Sequence, residues 1–317
     1  MLRRTLKKIY HSVAFHSGSP ARRLGQIQRE GLAAILNLHR VSPERNDYWP
    51  PLTPTLFEEL LNYLSDNFHV CRIDELSEVS PSKPIAMLSF DDGYYDFIEY
   101  ALPLIEKYGL PVNMNVIPEC AISGRPIWNV RLYDFLHSST RAEINLMDIP
   151  GFATKLESED PAAKVAYGVA LSRYLKNRPR GERVEIWESI EPRIAEADGG
   201  GTRMMTTDDI REIGERVDIG AHSFSHESMA FEPESFFEGD IDLCRHFFET
   251  DLGMPLSIYA FPNGSYRPQQ VDLLRKRGFS KILLVDERLA NPKADVLTRL
   301  TIYGESSSEL KMRCLGF

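Results

Sequence analysis

Two adjacent carboxylates, Asp91 and Asp92, close the apolar run Ile85 to Phe90 and are followed by Gly93. Side by side in one small pocket they repel each other, so the pairing is costly unless a cation or a proton offsets it. Gly93 lets the chain turn sharply with no side chain blocking approach. A calcium loop between two helices also uses Asp and Gly, but it needs a helix before it and oxygen ligands at alternating positions. The lead-in here reads as a strand, which sets that reading aside.

A second stretch, GAHSFSH, puts His222 and His226 four residues apart, just beyond another apolar run. That spacing can turn both imidazoles toward one ion if the segment begins a helical turn. Alone, the pair is also compatible with two hydrogen-bonded structural histidines in a chain carrying eight. Adding a strand-end aspartate gives one carboxylate and two imidazoles, with positions left open for water and substrate. That is the donor pattern of a catalytic zinc or similar divalent site.

LSFDDG, GAHSFSH and AFPNGSY, in this order and each after a strand-like run, resemble the first three motifs of the polysaccharide deacetylases, the carbohydrate esterase family 4 group with the NodB homology domain. The resemblance spans residues 33–303 apart from much of 128–201 and implies a distorted (β/α)7-type barrel. Carried over, it makes Asp92, His222 and His226 the ligands of a divalent metal, zinc in the first place. Asp91 becomes the general base that draws a proton from a water on that metal, whose pKa falls toward ~7. Asn263 and Tyr266 belong to the third motif and are expected at the substrate, with a backbone N–H near Asn263 helping to hold the oxyanion.

Two departures from the family pattern shape the remaining assignments. The late histidine that protonates the departing amine in many members is missing, since no histidine follows His246. A subgroup acting on exopolysaccharides carries this acid in an early YHxV-like motif, which LNLHRV resembles, so His39 is expected as the general acid. Its plain alternative is a histidine tucked under the barrel rim. The third motif has Ala260 where an arginine would orient the base. Arg299, in LTRLTIYG, is expected to supply that guanidinium, with Arg40 a second candidate and a surface ion pair the plain alternative. Trp128 could offer a flat face to a sugar, although tryptophan also serves core packing.

Short apolar runs alternating with helical patterns must position these groups. GLAAILNLHRV, PIAMLSF, PVNMNVI, VDIGAHS, SIYAFP, KILLV and the segment around LTRLTIYG read as about seven strands joined by helices, a mainly parallel α/β arrangement. Helices are expected over 53–68, capped by Thr53 or Thr55, over 95–109, over 206–216 with Thr207 as cap, over 234–252 and over 267–278. From 128 to 201 the strand rhythm stops, and this region reads as a helical insertion. Residues 1–32 read as a basic helical extension and 304–317 as a tail. Asp208, Asp209, Asp240 and Asp242 read as capping or solvated residues, and His246 as packing.

The net charge is −9, yet residues 1–29 carry seven basic side chains and no acidic one, so the body would repel nucleic acid. Leu2, Leu6, Ile9 and Val13 share a helical face beside Arg3, Arg4, Lys7 and Lys8, a pattern that could rest on an anionic membrane surface or pack on the body. With no secretory signal pattern, the expected place is the cytoplasm, at most peripheral at the inner face of the membrane. Cys71, Cys120, Cys244 and Cys314 lack paired spacing and are expected to be reduced. The implied activity is metal-dependent removal of an N-acetyl group from an amino sugar of a surface polysaccharide or its lipid- or nucleotide-linked precursor. Hydrolysis of another acyl or amide group and a non-catalytic glycan-binding role are the alternatives.

Overall fold

A computed structural model describes residues 19–44, 47–145, 147–195 and 201–317; the basic segment 1–15 lies outside the described residues. Its centre is a nine-stranded sheet in the order β8-β7-β6-β5-β4-β3-β1-β9, with β2 paired to the start of β3. The strands are β1 (Ala33–Leu38), β2 (His69–Val70), β3 (Ile85–Asp92), β4 (Val112–Val116), β5 (Asp218–Ala221), β6 (Ile258–Ala260), β7 (Lys281–Leu284), β8 (Val296–Thr298) and β9 (Leu300–Thr301). Each pairs in parallel with its neighbours. β1 and β3 are buried along their whole length, which is why they read as near-continuous apolar runs, broken only by Asn37 and by Ser89 before the terminal aspartates, and not as alternating ones.

β8 and β9 are the two ends of the sheet order, yet only Arg299 separates them in the chain. The sheet's edges therefore meet at one residue and it comes round as a barrel, the α/β architecture expected from the sequence.

The barrel interior is not wholly apolar. Along β3 and β4, Ser89, Asn113 and Asn115 are fully buried and point the same way, two residues apart along β4. Ser89 Oγ donates to Asn113 Oδ1 at 2.8 Å, and Asn115 Nδ2 donates to Asp91 Oδ1, also at 2.8 Å. Gly220 on β5 lies directly against this network.

Helices cover the outside. Pro54–Asn67 is capped by Thr53, whose hydroxyl accepts from the Leu56 N–H at 3.3 Å, and it buries Phe57, Leu60, Leu61 and Leu64. The helix Thr207–Ile213 is capped by Thr206, one residue earlier than expected, because Thr206 and Asp209 cap each other reciprocally. The C-terminal residues are not a loose tail. Ser306 caps the helix Ser307–Cys314, and Leu310, Met312 and Cys314 are fully buried in the core.

The insertion folds into the helices Trp128–Ser138, Arg141–Asn145, Pro161–Lys176 and Arg180–Ala195 around its own apolar cluster, which includes Leu132, Leu136, Leu171 and Ile190. All four cysteines are buried free thiols. His246 is exposed, so it does not serve the packing expected of it. No described helix is long and apolar enough to cross a membrane.

Gly220→Ala tests the tightness of the interior. A Cβ there would collide with Asn115 Oδ1 and stand 2.7 Å from Ile258 Cγ2. The expected outcome is a loss of about 1–3 kcal/mol in denaturant unfolding, the usual cost of overpacking.

Candidate active site

The barrel's carboxyl-end rim opens into a cavity of about 190 Å3 whose walls include His39, Asp91, Asp92, His222, His226 and Asn263. Asp91 and Asp92 are the last residues of β3, and His222 directly follows β5. The loop after it is not a helical turn. Ser223 and His226 both take positive φ, near 60°, and this folds the two imidazoles back toward Asp92, itself at φ 78°. Three non-glycine residues in that region mark a locally strained backbone held by its surroundings.

One of those surroundings is Asp240, buried and not solvated as the sequence suggested. Its carboxylate accepts from Ser223 Oγ at 2.8 Å, the Phe224 N–H at 2.9 Å and the Tyr259 hydroxyl at 3.1 Å. Burial nevertheless pushes its pKa up to about 6. A second support comes from the insertion, where Arg183 forms a buried ion pair with Glu227, the residue after His226.

Among the described residues, Asp92, His222 and His226 are the group whose donor atoms converge as a metal would require, all within 4.8 Å of one another. Asp92 Oδ1 lies 3.5 Å from His222 Nε2 and 3.4 Å from His226 Nε2. Donors ~2.0–2.1 Å from a tetrahedral ion stand about 3.4 Å apart, so the spacing fits one. Asp92 Oδ1 is also buried without a hydrogen-bond partner, an orphaned acceptor that a cation would satisfy. His222 Nδ1 donates to the Ala260 carbonyl at 2.9 Å, which leaves Nε2 with its lone pair facing Asp92.

Asp91 faces a different partner. Arg299, with no exposed surface, grips it at both oxygens, Nη1 to Oδ1 at 2.7 Å and Nη2 to Oδ2 at 2.8 Å. Burial alone would raise the Asp91 pKa, but the Arg299 charge holds it down at about 2. For Asp92 burial is again opposed, here by His226 first, and the carboxyl is held below its ordinary range. The pair is thus split by environment: one carboxylate looks to a guanidinium, the other to two imidazoles. Arg40 does not compete for Asp91; it binds Asp96 at 2.7 Å and covers the Tyr94 ring.

His39 is half-buried and lines the same cavity, in edge-to-face contact with Trp49 at 5.1 Å. Burial lowers its pKa, against the pull of Asp92 and Asp91. Asn263 sits at φ 56° on its loop, accepting from Lys176 Nζ at 2.9 Å and donating to Ser228 Oγ at 3.1 Å.

Two expected contacts are not brought to the cavity. Trp128 begins the first insertion helix and packs into that region's own core, 5.9 Å from Trp187 and beneath Arg183. Tyr266 lies over Phe261, with its hydroxyl toward Asp286. In their place the cavity has Trp49, Tyr133 and Lys176. Sequence reasoning missed these three, and it missed Asn115, although two asparagines alternating inside the apolar run VNMNV were a visible signal.

The comparisons with known proteins agree with this picture. Residues 190–282, which include His222, His226 and Asn263, match the polysaccharide deacetylase family model. No curated protein matches the sequence. Among solved structures, a Streptococcus pyogenes deacetylase, PplD, in complex with acetate, superposes with a TM-score of 0.58 at 14% identity, covering 90% of this chain and 98% of that one. IcaB from Ammonifex degensii gives 0.56 at 16% identity, over 90% and 97% of the two chains. A Bacillus cereus polysaccharide deacetylase gives 0.56 at 11%, over 90% and 69%. At these identities the structures establish a shared fold. The match over residues 190–282 takes in the second and third of the motifs, so this part of the chain is polysaccharide deacetylase-like in sequence, and the whole shares the deacetylases' architecture.

Proposed function

We propose that this protein is a divalent-metal-dependent hydrolase, with zinc as the metal, that removes the N-acetyl group from an amino sugar of a surface polysaccharide or of its lipid- or nucleotide-linked precursor. One observation carries the reading: Asp92, His222 and His226 converge with the spacing of a tetrahedral site, beside a second carboxylate that a buried arginine keeps ionised. The family match and the acetate-bound deacetylase of the same fold support the choice of acyl group. The basic segment at residues 1–29 would favour work at the inner face of a membrane.

A bound ion would supply acidity to a water molecule and polarise the acetyl carbonyl. Asp91 takes the proton. Arg299 holds its carboxyl below the ordinary carboxylate range, so it is ionised and able to accept that proton. Arg299 keeps the carboxylate charged before the proton arrives, and since Asn115 adds a second donor to Oδ1, Oδ2 is the less committed oxygen on the His222 side. As the water oxygen joins the carbonyl carbon and the C–N bond breaks, His39 gives its proton to the departing nitrogen. The products are acetate and a free amine. Asn263 and its loop border the position of the oxyanion.

Asp91→Asn is expected to keep one equivalent of metal, measured by elemental analysis, while acetate release from chitooligosaccharides falls about a hundredfold to ten-thousandfold, the range of a lost general base. Full activity in that variant would remove Asp91 from the role. His222→Ala should lose metal and turnover together. Arg299→Lys keeps the charge but loses the two-pronged grip, so metal content should hold while kcat drops about tenfold to a hundredfold. Rapid release of formate from N-formyl sugars with inert acetamides would point instead to another acyl donor.

A further inference from the structure

A second cavity abuts the catalytic one at His39. The His39 imidazole and the Trp49 indole form a partition, and on its far side this cavity has about 420 Å3, more than twice the first at about 190 Å3. Thr301 borders both. The chemistry changes across the partition. The floor of the second cavity is the buried apolar set Leu38, Leu52 and Ile302, while Trp49 and Tyr303, 41% and 52% exposed, stand at its mouth. Arg313 stacks against the Tyr303 ring at 3.4 Å and steadies it.

We propose that this cavity holds the apolar chain of a lipid-linked saccharide while the sugar lies in the catalytic cavity, an inference that rests on the reading of the catalytic cavity as the amino-sugar site. Its adjacency to the catalytic cavity is the first reason: His39, Trp49 and Thr301 border both, so a chain leaving the sugar past these residues meets an apolar wall at once. The second is electrostatic. The charged groups along its wall are Glu305, Glu309 and Arg40, and Arg40 is already bound to Asp96 at 2.7 Å. Glu309 is itself paired with Arg313 at 3.5 Å, so a nucleotide diphosphate would find no uncommitted cation among the described wall residues to receive it. The third is the floor itself, since Leu38, Leu52 and Ile302 offer no side-chain hydrogen bond to a further sugar ring or a base, whereas they reward every methylene they cover.

The test uses the full-length, metal-loaded protein with n-alkyl glycosides of N-acetylglucosamine, methyl through octyl, below their micelle concentrations. The readouts are kcat/KM for acetate release and, separately, affinity by calorimetry. Both should improve about twofold to fourfold per added methylene and level off once the cavity is full, with the kinetic gain residing in KM. Tyr303→Ala, at an exposed position, and Leu52→Asn should each flatten the slope when it is measured against that variant's own methyl glycoside. A flat dependence in the unaltered protein overturns the proposal, as does a slope that both variants leave untouched. A larger gain from a second sugar than from an alkyl chain overturns it in favour of a saccharide subsite. Affinity that rises with chain length while no glycoside is hydrolysed would uphold the cavity's role and refute the catalytic reading instead.

Discussion

A guanidinium with no exposed surface, gripping both oxygens of an equally buried carboxylate, is the interaction around which this molecule is arranged. Neither partner tolerates burial alone; breaking such a pair from one side typically costs about 3–5 kcal/mol. Arg299 does more than neutralise Asp91. It is the single residue between β8 and β9, where the two ends of the sheet meet, and it also donates to Ser89 Oγ at 3.1 Å in the barrel interior. The closure of the barrel and the charge balance of the site are therefore one event. With Asp91 committed to the arginine, Asp92 is left to the imidazoles, so two identical side chains acquire different chemistry from different neighbours.

The loop that carries His222 and His226 depends on the rest of the fold in the same way. Its left-handed residues would relax if unsupported, and the supports come from separate parts of the chain: Asp240 beneath it and Arg183 from the insertion. The insertion is thus tied to the site by a buried ion pair and by Lys176, which reaches Asn263. Its own apolar core, with Trp128 and Trp187 in contact, makes it a firm platform for those links.

What could be read from the sequence was what is local. Strands buried on both faces announce themselves as apolar runs, and their carboxyl ends locate Asp91, Asp92 and His222 without any knowledge of contacts. Arg299 could be singled out because Ala260 left a guanidinium unaccounted for. Whether a polar residue is buried is not local, and so Asp240 looked like a solvated helix residue. Trp128 and Tyr266 were assigned by motif and residue type, but their directions are set by the insertion core and by Phe261. Trp49 lies in a proline-flanked loop that only tertiary structure brings to His39. The C-terminal helix did carry a readable sign, Ser306 followed by Glu309 at capping spacing, in a segment too short for its periodicity to stand out.

The position of Arg299 also has a bearing on biosynthesis. A ribosome delivers Asp91 and Asp92 some two hundred residues before it delivers the one side chain that neutralises the first of them. Until then the nascent barrel has an open edge and an uncompensated negative centre, so its helices and early strands can form but cannot settle. Completion of this carboxylate pair's surroundings therefore waits on residue 299, and a product truncated before it would lack ring closure and the counter-charge alike.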